Sequence, residues 1–457
     1  MASRIAMLAS ARKRIDRSAR QSPARLALLA FGVVIAVFTL MLWMPFATTS
    51  GQQPPIVDAL FTATSAATIT GLVVVPTGGY WSPAGLVIIL VAIKIGGFGV
   101  MTIASLLGLA VSRRIGLTQR LLVSSETKTT RLGEVGSLVR TVIVTSTSIE
   151  LAIAVVLFPR FLLDKEGAGT AAWHAVFYAV SAFNNAGFIP TQDGLTPYVS
   201  DWWVLLPIIV GVFIGSLGFP VILNVVQMLR QPRKWSLHTK LTLATSGALV
   251  VFGSVVIAAF EWTNPDSFAP LDPAGTALAS LFAGVMPRSG GFSTVDIGQM
   301  HEGSWLLLDA LMFVGGGSAS TAGGIKVTTL VVMLLAIVAE ARGDRDVEAY
   351  GRRIGRDTLQ VAIAVAFVSA TIVLIASLLL LAMTGLTLDV VLFEVISAFA
   401  TCGLSTGITA SLPDPAKYVL TVLMFVGRTG TMTLAAALAL RSRRRVVRYP
   451  EERPIIG

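Results

Sequence analysis

The residues with the clearest chemistry are four glycines, each closing a similar octet. The octets read SAATITGL (Ser65–Leu72), SAFNNAGF (Ser181–Phe188), VMPRSGGF (Val285–Phe292) and SAFATCGL (Ser397–Leu404). Gly71, Gly187, Gly291 and Gly403 are each followed by Leu or Phe, and Phe61, Phe177, Leu281 and Phe393 stand ten residues before them. The glycines are 116, 104 and 112 residues apart, so one structural unit is used four times. None of this suits bond-breaking chemistry. The chain has one cysteine, Cys402, and its three histidines (His174, His238, His301) lack metal-ligand spacing. Its glycine runs do not match a phosphate loop, since no GxxxxGK[ST] is present. What four such glycines can supply is backbone carbonyl oxygen. Glycine allows backbone angles that turn successive carbonyls toward one axis. A helix C-terminus aimed at that axis adds partial negative charge, and a ring of carbonyls replaces the water shell of a cation.

The surrounding elements must then hold such a ring at membrane depth. Of 457 residues, 54% are hydrophobic and 13% charged, with a mean hydropathy of +0.77. A soluble domain carries about 25% charged residues, so a soluble globular enzyme and a disordered chain are both excluded. Eight apolar runs are long enough to span a bilayer: Leu26–Phe46, Leu86–Ala110, Val139–Phe158, Trp202–Met228, Leu241–Phe260, Leu306–Glu340, Val361–Met383 and Tyr418–Leu440. Four shorter runs, near 57–68, 171–183, 275–287 and 388–399, are too short to cross and read as re-entrant half-helices leading into the octets. The expected fold is therefore all-α and integral to the membrane, with four membrane–pore–membrane repeats around a central pore. Its segments are 1–25, a cytoplasmic N-terminal segment; 26–112, 113–234, 235–343 and 344–445, the four repeats; and 446–457, a cytoplasmic tail.

The net charge is +10, from 35 Lys and Arg against 25 Asp and Glu. The basic residues sit before the first span (Arg12, Lys13, Arg14, Arg17, Arg20, Arg25) and in alternate loops. Those loops hold Arg113, Arg114, Arg120, Lys128, Arg131 and Arg140; Arg230, Arg233, Lys234 and Lys240; Arg342, Arg345, Arg352, Arg353 and Arg356; and Arg441, Arg443, Arg444, Arg445 and Arg448. The opposite loops carry Asp193, Asp201, Asp266, Asp272, Asp296, Glu302 and Asp414. The positive-inside rule then places both termini in the cytoplasm of a multi-pass cell-membrane protein, and nucleic acid is not an expected partner.

A second glycine recurs in each following span, at Gly96, Gly215, Gly315 and Gly427, where close helix packing is sufficient reason. The sixth span is anomalous: Gly315, Gly316, Gly317, Ser318, Ala319, Ser320, Thr321, Ala322, Gly323 and Gly324 run in a row. Such a run is a poor helix former and reads as a broken helix with an irregular loop, against the plainer reading of a kink. Lys326 closes it, and Arg428 sits within the eighth span; charges so placed mark function. Arg428 either holds a closed loop through hydrogen bonds to its carbonyls, or repels ions, or makes a structural ion pair. Lys94, also at membrane depth, either pairs with a carboxylate, Glu150 or Glu394, or faces the pore. Asn184 and Asn185 are read as bracing the second octet from behind, and Arg288 as paired behind the third. Cys402 is read as a packing group whose position still admits thiol reagents at the outer mouth.

The motifs TITGL, SAFNNAGF, RSGGF, STAGGIK (Ser320–Lys326), FVGRTG (Phe425–Gly430) and the ending RYPEERPIIG resemble the membrane subunit of bacterial Ktr potassium uptake systems, in the wider Ktr/Trk/HKT superfamily. The resemblance runs from the first span to the C-terminus, and lacking an additional N-terminal pair of spans it favours the Ktr branch. It implies potassium uptake through a carbonyl filter made of Ile69, Thr70 and Gly71; Asn185, Ala186 and Gly187; Ser289, Gly290 and Gly291; and Thr401, Cys402 and Gly403. It implies a gate beneath the filter at Gly315, Gly316, Gly317, Ser318, Ser320, Thr321, Gly323, Gly324 and Lys326, with Arg428 beside it. In the plant branch a serine at the first filter glycine goes with sodium, so Gly71 fits potassium. Lys94 departs from the glutamine usual in the family, and Cys402 from a small aliphatic residue. The resemblance further implies no covalent cofactor, K⁺ as the transported ion with Na⁺ as a candidate activator, a homodimer, and a KtrA-like cytosolic ring that carries the nucleotide. The competing function class is an ion-coupled secondary transporter of a small solute. Against it, the four repeats run in parallel, and no organic-ligand site or catalytic cluster stands out.

Overall fold

The computed structural model describes residues 23–112, 133–164 and 167–440, and these are mostly helical. The basic segments 1–22, 113–132 and 441–457 lie outside the described residues. Apart from single turns such as Thr77–Tyr80, the helices in chain order are α1 (Pro23–Leu42), α2 (Ile56–Thr68), α3 (Pro83–Ser112), α4 (Gly133–Leu162), α5 (Ala168–Phe183), α6 (Trp202–Leu217), α7 (Phe219–Gln227), α8 (Leu237–Glu261), α9 (Pro273–Val285), α10 (Glu302–Val314), α11 (Val327–Arg342), α12 (Arg356–Thr384), α13 (Leu388–Phe399) and α14 (Asp414–Leu440). A small hairpin, β1 (Val347–Ala349) and β2 (Arg352–Ile354), separates α11 from α12.

Among the described residues, four helices are individually long and apolar enough to cross a bilayer: α3, α4, α8 and α12. Their outward faces are apolar too, with Val251, Phe252 and Val255 on α8 and Phe367, Leu374 and Leu378 on α12 all exposed. That is the reverse of a soluble surface, and lipid is the solvent that suits it. Polar side chains set some of the ends. Asp201 caps α6, Ser236 caps α8 and Asp272 caps α9, each accepting backbone N–H groups of the first turn.

The four short helices α2, α5, α9 and α13 are each more than half buried. At 12 to 16 residues they are about 18–24 Å long, less than the roughly 30 Å of a hydrocarbon core. The helix before each short helix packs along it, in the pairs α1 with α2, α4 with α5, α8 with α9, and α12 with α13. A second relation links each unit to the next. Helix α3 packs on α5, α6 on α9, α10 on α13, and α14 on α2. The last contact joins α14 back to α2, so the arrangement closes into a ring.

Two spans expected from sequence are interrupted. The sixth is broken, as anticipated, into α10 and α11 with an irregular loop over 315–326. The fourth, expected as one continuous run over Trp202–Met228, is instead α6 and α7, bent by 101° at Gly218. Gly218 has a φ of 96°, and Pro220 at the start of α7 has no N–H to continue the ladder of α6.

Candidate ion site

Each short helix ends in the same backbone figure. The residue two before each octet glycine is left-handed: Ile69 (φ 57°), Asn185 (58°), Ser289 (75°) and Thr401 (47°). The glycines are left-handed as well, with φ of 93°, 66°, 71° and 95° at Gly71, Gly187, Gly291 and Gly403. The residue between has ordinary φ. Alternating hand turns the N–H groups to one side of the strand and the carbonyls to the other. Non-glycine residues adopt this region only at a cost, so four in register are a built feature.

The N–H side faces the short helix. Thr70 N donates to Ser65 O (2.8 Å), Ala186 N to Ser181 O (2.8 Å) and Cys402 N to Ser397 O (2.9 Å). The hydroxyls of Ser65 and Ser397 then accept from Gly71 N (3.0 Å) and Gly403 N (3.1 Å). These serines lie six residues before their glycines. Ser181 holds the same place but donates to Phe188 O at 2.8 Å. In the third unit that position is Val285, and Gly290 N turns to Met286 O (2.7 Å) instead.

The carbonyl side faces the ring. A methyl added to Gly71 would lie 3.1 Å from the Gly187 Cα, and one on Gly187 3.0 Å from the Gly291 Cα. One on Gly291 would lie 3.3 Å from the Gly403 Cα, and one on Gly403 2.9 Å from the Gly71 Cα. The four glycines thus neighbour one another in chain order and close a ring. The same added atoms would strike the carbonyl oxygens of Ala186, Cys402 and Thr70, so these oxygens lie in the ring. The carbonyls of Thr70, Gly71, Ala186, Gly187, Gly290, Gly291, Cys402 and Gly403 accept no hydrogen bond among the described residues. The structure therefore brings all twelve sequence-nominated filter residues to one place.

The recurring second glycines have a specific task. A side chain on Gly96, Gly215 or Gly427 would collide with the carbonyl of Ala67, Phe183 or Phe399, each four residues before an octet glycine. Three units thus use a glycine to let the next span lie against the end of a short helix. Gly315, the fourth of the set, meets Gly323 O of the loop instead.

That loop docks on the bend of the fourth span. Gly317 N donates to Ser216 O (2.7 Å), Thr321 Oγ1 to Gly215 O (3.0 Å), and Phe219 N to Ala319 O (3.2 Å). Carbonyls freed at one break are satisfied by the irregular backbone of the other. Above, Gly323 N donates to Ser289 Oγ (3.3 Å), which itself donates to Thr401 O (2.5 Å). The loop is thus tied to the inner end of two octets. Gly218, Pro220 and the Ser289 bridge were missed from sequence. Gly-Phe-Pro at 218–220 was the available signal, hidden inside a long apolar run.

The membrane-depth charges divide differently from expectation. Lys326 Nζ, not Arg428, donates to the loop carbonyls Ala322 O (2.6 Å) and Gly323 O (3.4 Å). Arg428 is buried and close enough to Lys326 to interact with its charge, and its guanidinium has no hydrogen-bond partner among the described residues. Arg288 is buried behind the third octet but is not paired as expected; its guanidinium has no partner among the described residues either, while its carbonyl accepts from Asn185 Nδ2 (3.3 Å). Lys94 pairs with Glu150, while Glu394 accepts from Ser405 and Thr409. Cys402 is fully buried, with Sγ 3.5 Å from Met286 O.

Comparison with known proteins places this arrangement. The family model described as TrkH, cation transport protein, matches residues 4–446. Ktr system potassium uptake protein B of Bacillus subtilis is 36% identical over 438 residues, covering 96% of this chain and 97% of that protein. The protein of the same name from Vibrio alginolyticus is 36% identical over 435 residues, covering 95% and 94%. The potassium/sodium uptake protein NtpJ of Enterococcus hirae is 31% identical, covering 98% and 99%. The crystal structure of the potassium transporter TrkH from Vibrio parahaemolyticus superposes with a TM-score of 0.72, at 20% identity, over 90% of this chain and 83% of that one; at that identity it speaks for the fold.

Proposed function

Because this chain belongs to the TrkH family of cation transport proteins, we propose that it takes up potassium across the cell membrane through the ring of octet carbonyls. The observation that carries this reading is the set of ring carbonyls, six on buried residues and two (Gly291, Gly403) on half-buried ones, with no hydrogen-bond donor among the described residues. Unpaired buried carbonyls are costly, and a partly desolvated K⁺ is a partner that a ring of oxygen dipoles suits. An anion would meet the wrong sign. The relatives named for potassium uptake support the choice of ion; the relative named for potassium and sodium keeps Na⁺ as a candidate activator or second ion.

In this reading each unit is membrane–pore–membrane, eight crossings with four re-entrant short helices, and both termini are cytoplasmic. The loop over 315–326 is the gate. Its glycines let it cross beneath the filter, Ser320 Oγ bonds Gly317 O (2.6 Å) to shape its turn, and Lys326 clamps its own carbonyls. Arg428 supplies a second cation beside Lys326 that repels an ion leaving the ring while the loop is closed. That a relative is named as one protein of a Ktr system supports a partner component, taken in this reading as a KtrA-like nucleotide-binding ring on a homodimer. That ring would bias the loop between two positions.

The test is cation flux in liposomes holding the purified chain, with K⁺, Rb⁺ and Na⁺ compared, alone and with the regulatory ring. Flux that favours K⁺ and Rb⁺ and rises with the ring is the expected result. No flux of any cation under any ionic condition would overturn the reading and return ion-coupled secondary transport of a small solute to the front.

A further inference from the structure

Lys94 is a membrane-depth cation that the reading of ring and loop leaves without a task. Its ammonium pairs with Glu150 Oε2, from α3 to α4. The pair is largely withdrawn from solvent, with side-chain exposures of 23% and 5%. The other carboxylate oxygen, Glu150 Oε1, accepts from Asn184 Nδ2 at 2.7 Å and from Ser146 Oγ at 3.1 Å. Asn184 stands three residues before Gly187, where α5 gives way to the second octet's left-handed turn, and its Nδ2 also donates to Val180 O (2.8 Å). The next residue, Asn185, reaches Arg288 O of the third octet.

A second observation points to the same place. Gly97, three residues after Lys94 on the same helix face, has no side chain where one would strike Asn184 Oδ1. Helix α3 is therefore shaped to the Asn184 carboxamide at Gly97 and, one turn earlier on the same face, carries the cation that pairs with its acceptor. Gly96 meanwhile lies against Ala67 O, so this short stretch of α3 fits the backs of two octets at once.

We infer that the Lys94–Glu150 pair is a positioning device for the second filter segment, acting through Asn184 to set the preference for K⁺ over Na⁺. The inference rests on the transport reading above. A charge-assisted bond to Asn184 is stiffer than a neutral one. A carboxylate left at this depth without Lys94 would be uncompensated, and discard its charge or its position. In this inference each residue acts on ring carbonyls through Asn184.

The experiment is Rb⁺ uptake into liposomes, competed by K⁺ or Na⁺, for K94Q, E150Q, K94Q/E150Q, N184A and E150Q/N184A, with the melting temperature of each. K94Q and E150Q should each lower the K⁺-over-Na⁺ preference about tenfold, as loss of one charged hydrogen bond implies. The double variant K94Q/E150Q keeps a neutral acceptor for Asn184 and, unlike E150Q, leaves no unpaired ammonium beside it, so it should return to within about threefold of the parent, a scale set by the coupling of contacting residues. N184A should match E150Q, and E150Q/N184A should be no worse than either. Unchanged preference in K94Q and E150Q, or a double variant no better than the worse single one, would overturn the inference. So would a large flux gain in K94Q that E150Q does not share, because Lys94 would then face the pore. If a single variant fails to fold, the K94Q/E150Q and N184A arms still decide. An inactive parent removes the transport reading itself, whereas unaltered variants of an active parent remove only this inference.

Discussion

The octets and the loop over 315–326 are both irregular backbone at membrane depth, yet they are held in opposite ways. The N–H groups of the octets bond within their own unit, as Thr70 N does to Ser65 O and Cys402 N to Ser397 O. Each octet is therefore an extension of its short helix and moves only if that helix moves. The loop has local bonds too, such as Ile325 N to Phe313 O (3.2 Å) and Val327 N to Gly316 O (3.0 Å), but much of its hold comes from distant elements. It hangs from Gly215 and Ser216 of the fourth span and from Ser289 of the third octet, and Lys326 folds back onto it. Bonds between distant elements can be released together without unwinding a helix. The contrast suits a fixed filter above a movable closure, and it can be broken by experiment.

The largest effect should come from the ring. A side chain at Gly403 would adopt a φ of 95° and crowd the Gly71 Cα at 2.9 Å. Strain at such a position costs about 1–3 kcal/mol before any clash. Gly403→Ala is thus expected to cut K⁺ uptake about 100-fold, an effect of roughly 2.7 kcal/mol. Gly407→Ala, at the same φ but in open space, bears the strain without the crowding. Similar losses in the two variants, measured as Rb⁺ uptake, would show that the ring's closeness does not matter.

Lys326→Ala should act in the opposite direction. It removes the donor to Ala322 O and Gly323 O while leaving the octets intact. Flux without the regulatory ring should rise about tenfold, the equivalent of one lost charged hydrogen bond, with the K⁺:Na⁺ preference kept. A fall in flux with altered preference would mean that the loop supports the filter rather than closing it.

Ser289→Ala tests where the two regions meet, because one hydroxyl accepts from Gly323 N and donates to Thr401 O. Removing it should raise ring-independent flux and lower ion preference together, each about threefold to tenfold for a neutral hydrogen bond. A change in flux alone would leave the filter independent of the loop.

How much of this was legible beforehand differs between the same two regions. The octets could be read because local rules decide them: a short apolar run, a glycine at fixed spacing, and a helix too short to cross. The helix limits observed, such as Ile56–Thr68 and Leu388–Phe399, fall within a residue or two of the apolar runs. The glycine run of the loop was equally plain, but its supports were not. Which carboxylate takes Lys94, whether Lys326 or Arg428 holds the loop, and that the fourth span bends at Gly218 all depend on packing between elements far apart in sequence. Hydropathy averages over such a bend, since the residues on both sides of Gly218 remain apolar.

Cys402 gives the smallest expected effect and the sharpest check on the rigidity of the filter. The sequence puts the thiol beside Gly403, where a reagent small enough for the outer mouth is expected to reach it. The structure turns it away from solvent, fully buried, with Sγ toward Met286 O at 3.5 Å. It is the Cys402 carbonyl, not the side chain, that meets Gly291 in the ring. Cys402→Ala should therefore leave ion preference within about twofold and cost at most about 1 kcal/mol of stability, the scale for a small core truncation. Thiol reagents added to the folded protein should not block flux. If they do block the parent but not Cys402→Val, the fourth octet opens far enough to expose its rear face. A filter that breathes in that way could not be the fixed partner of a moving loop, and the division of labour drawn between the two regions would have to be abandoned.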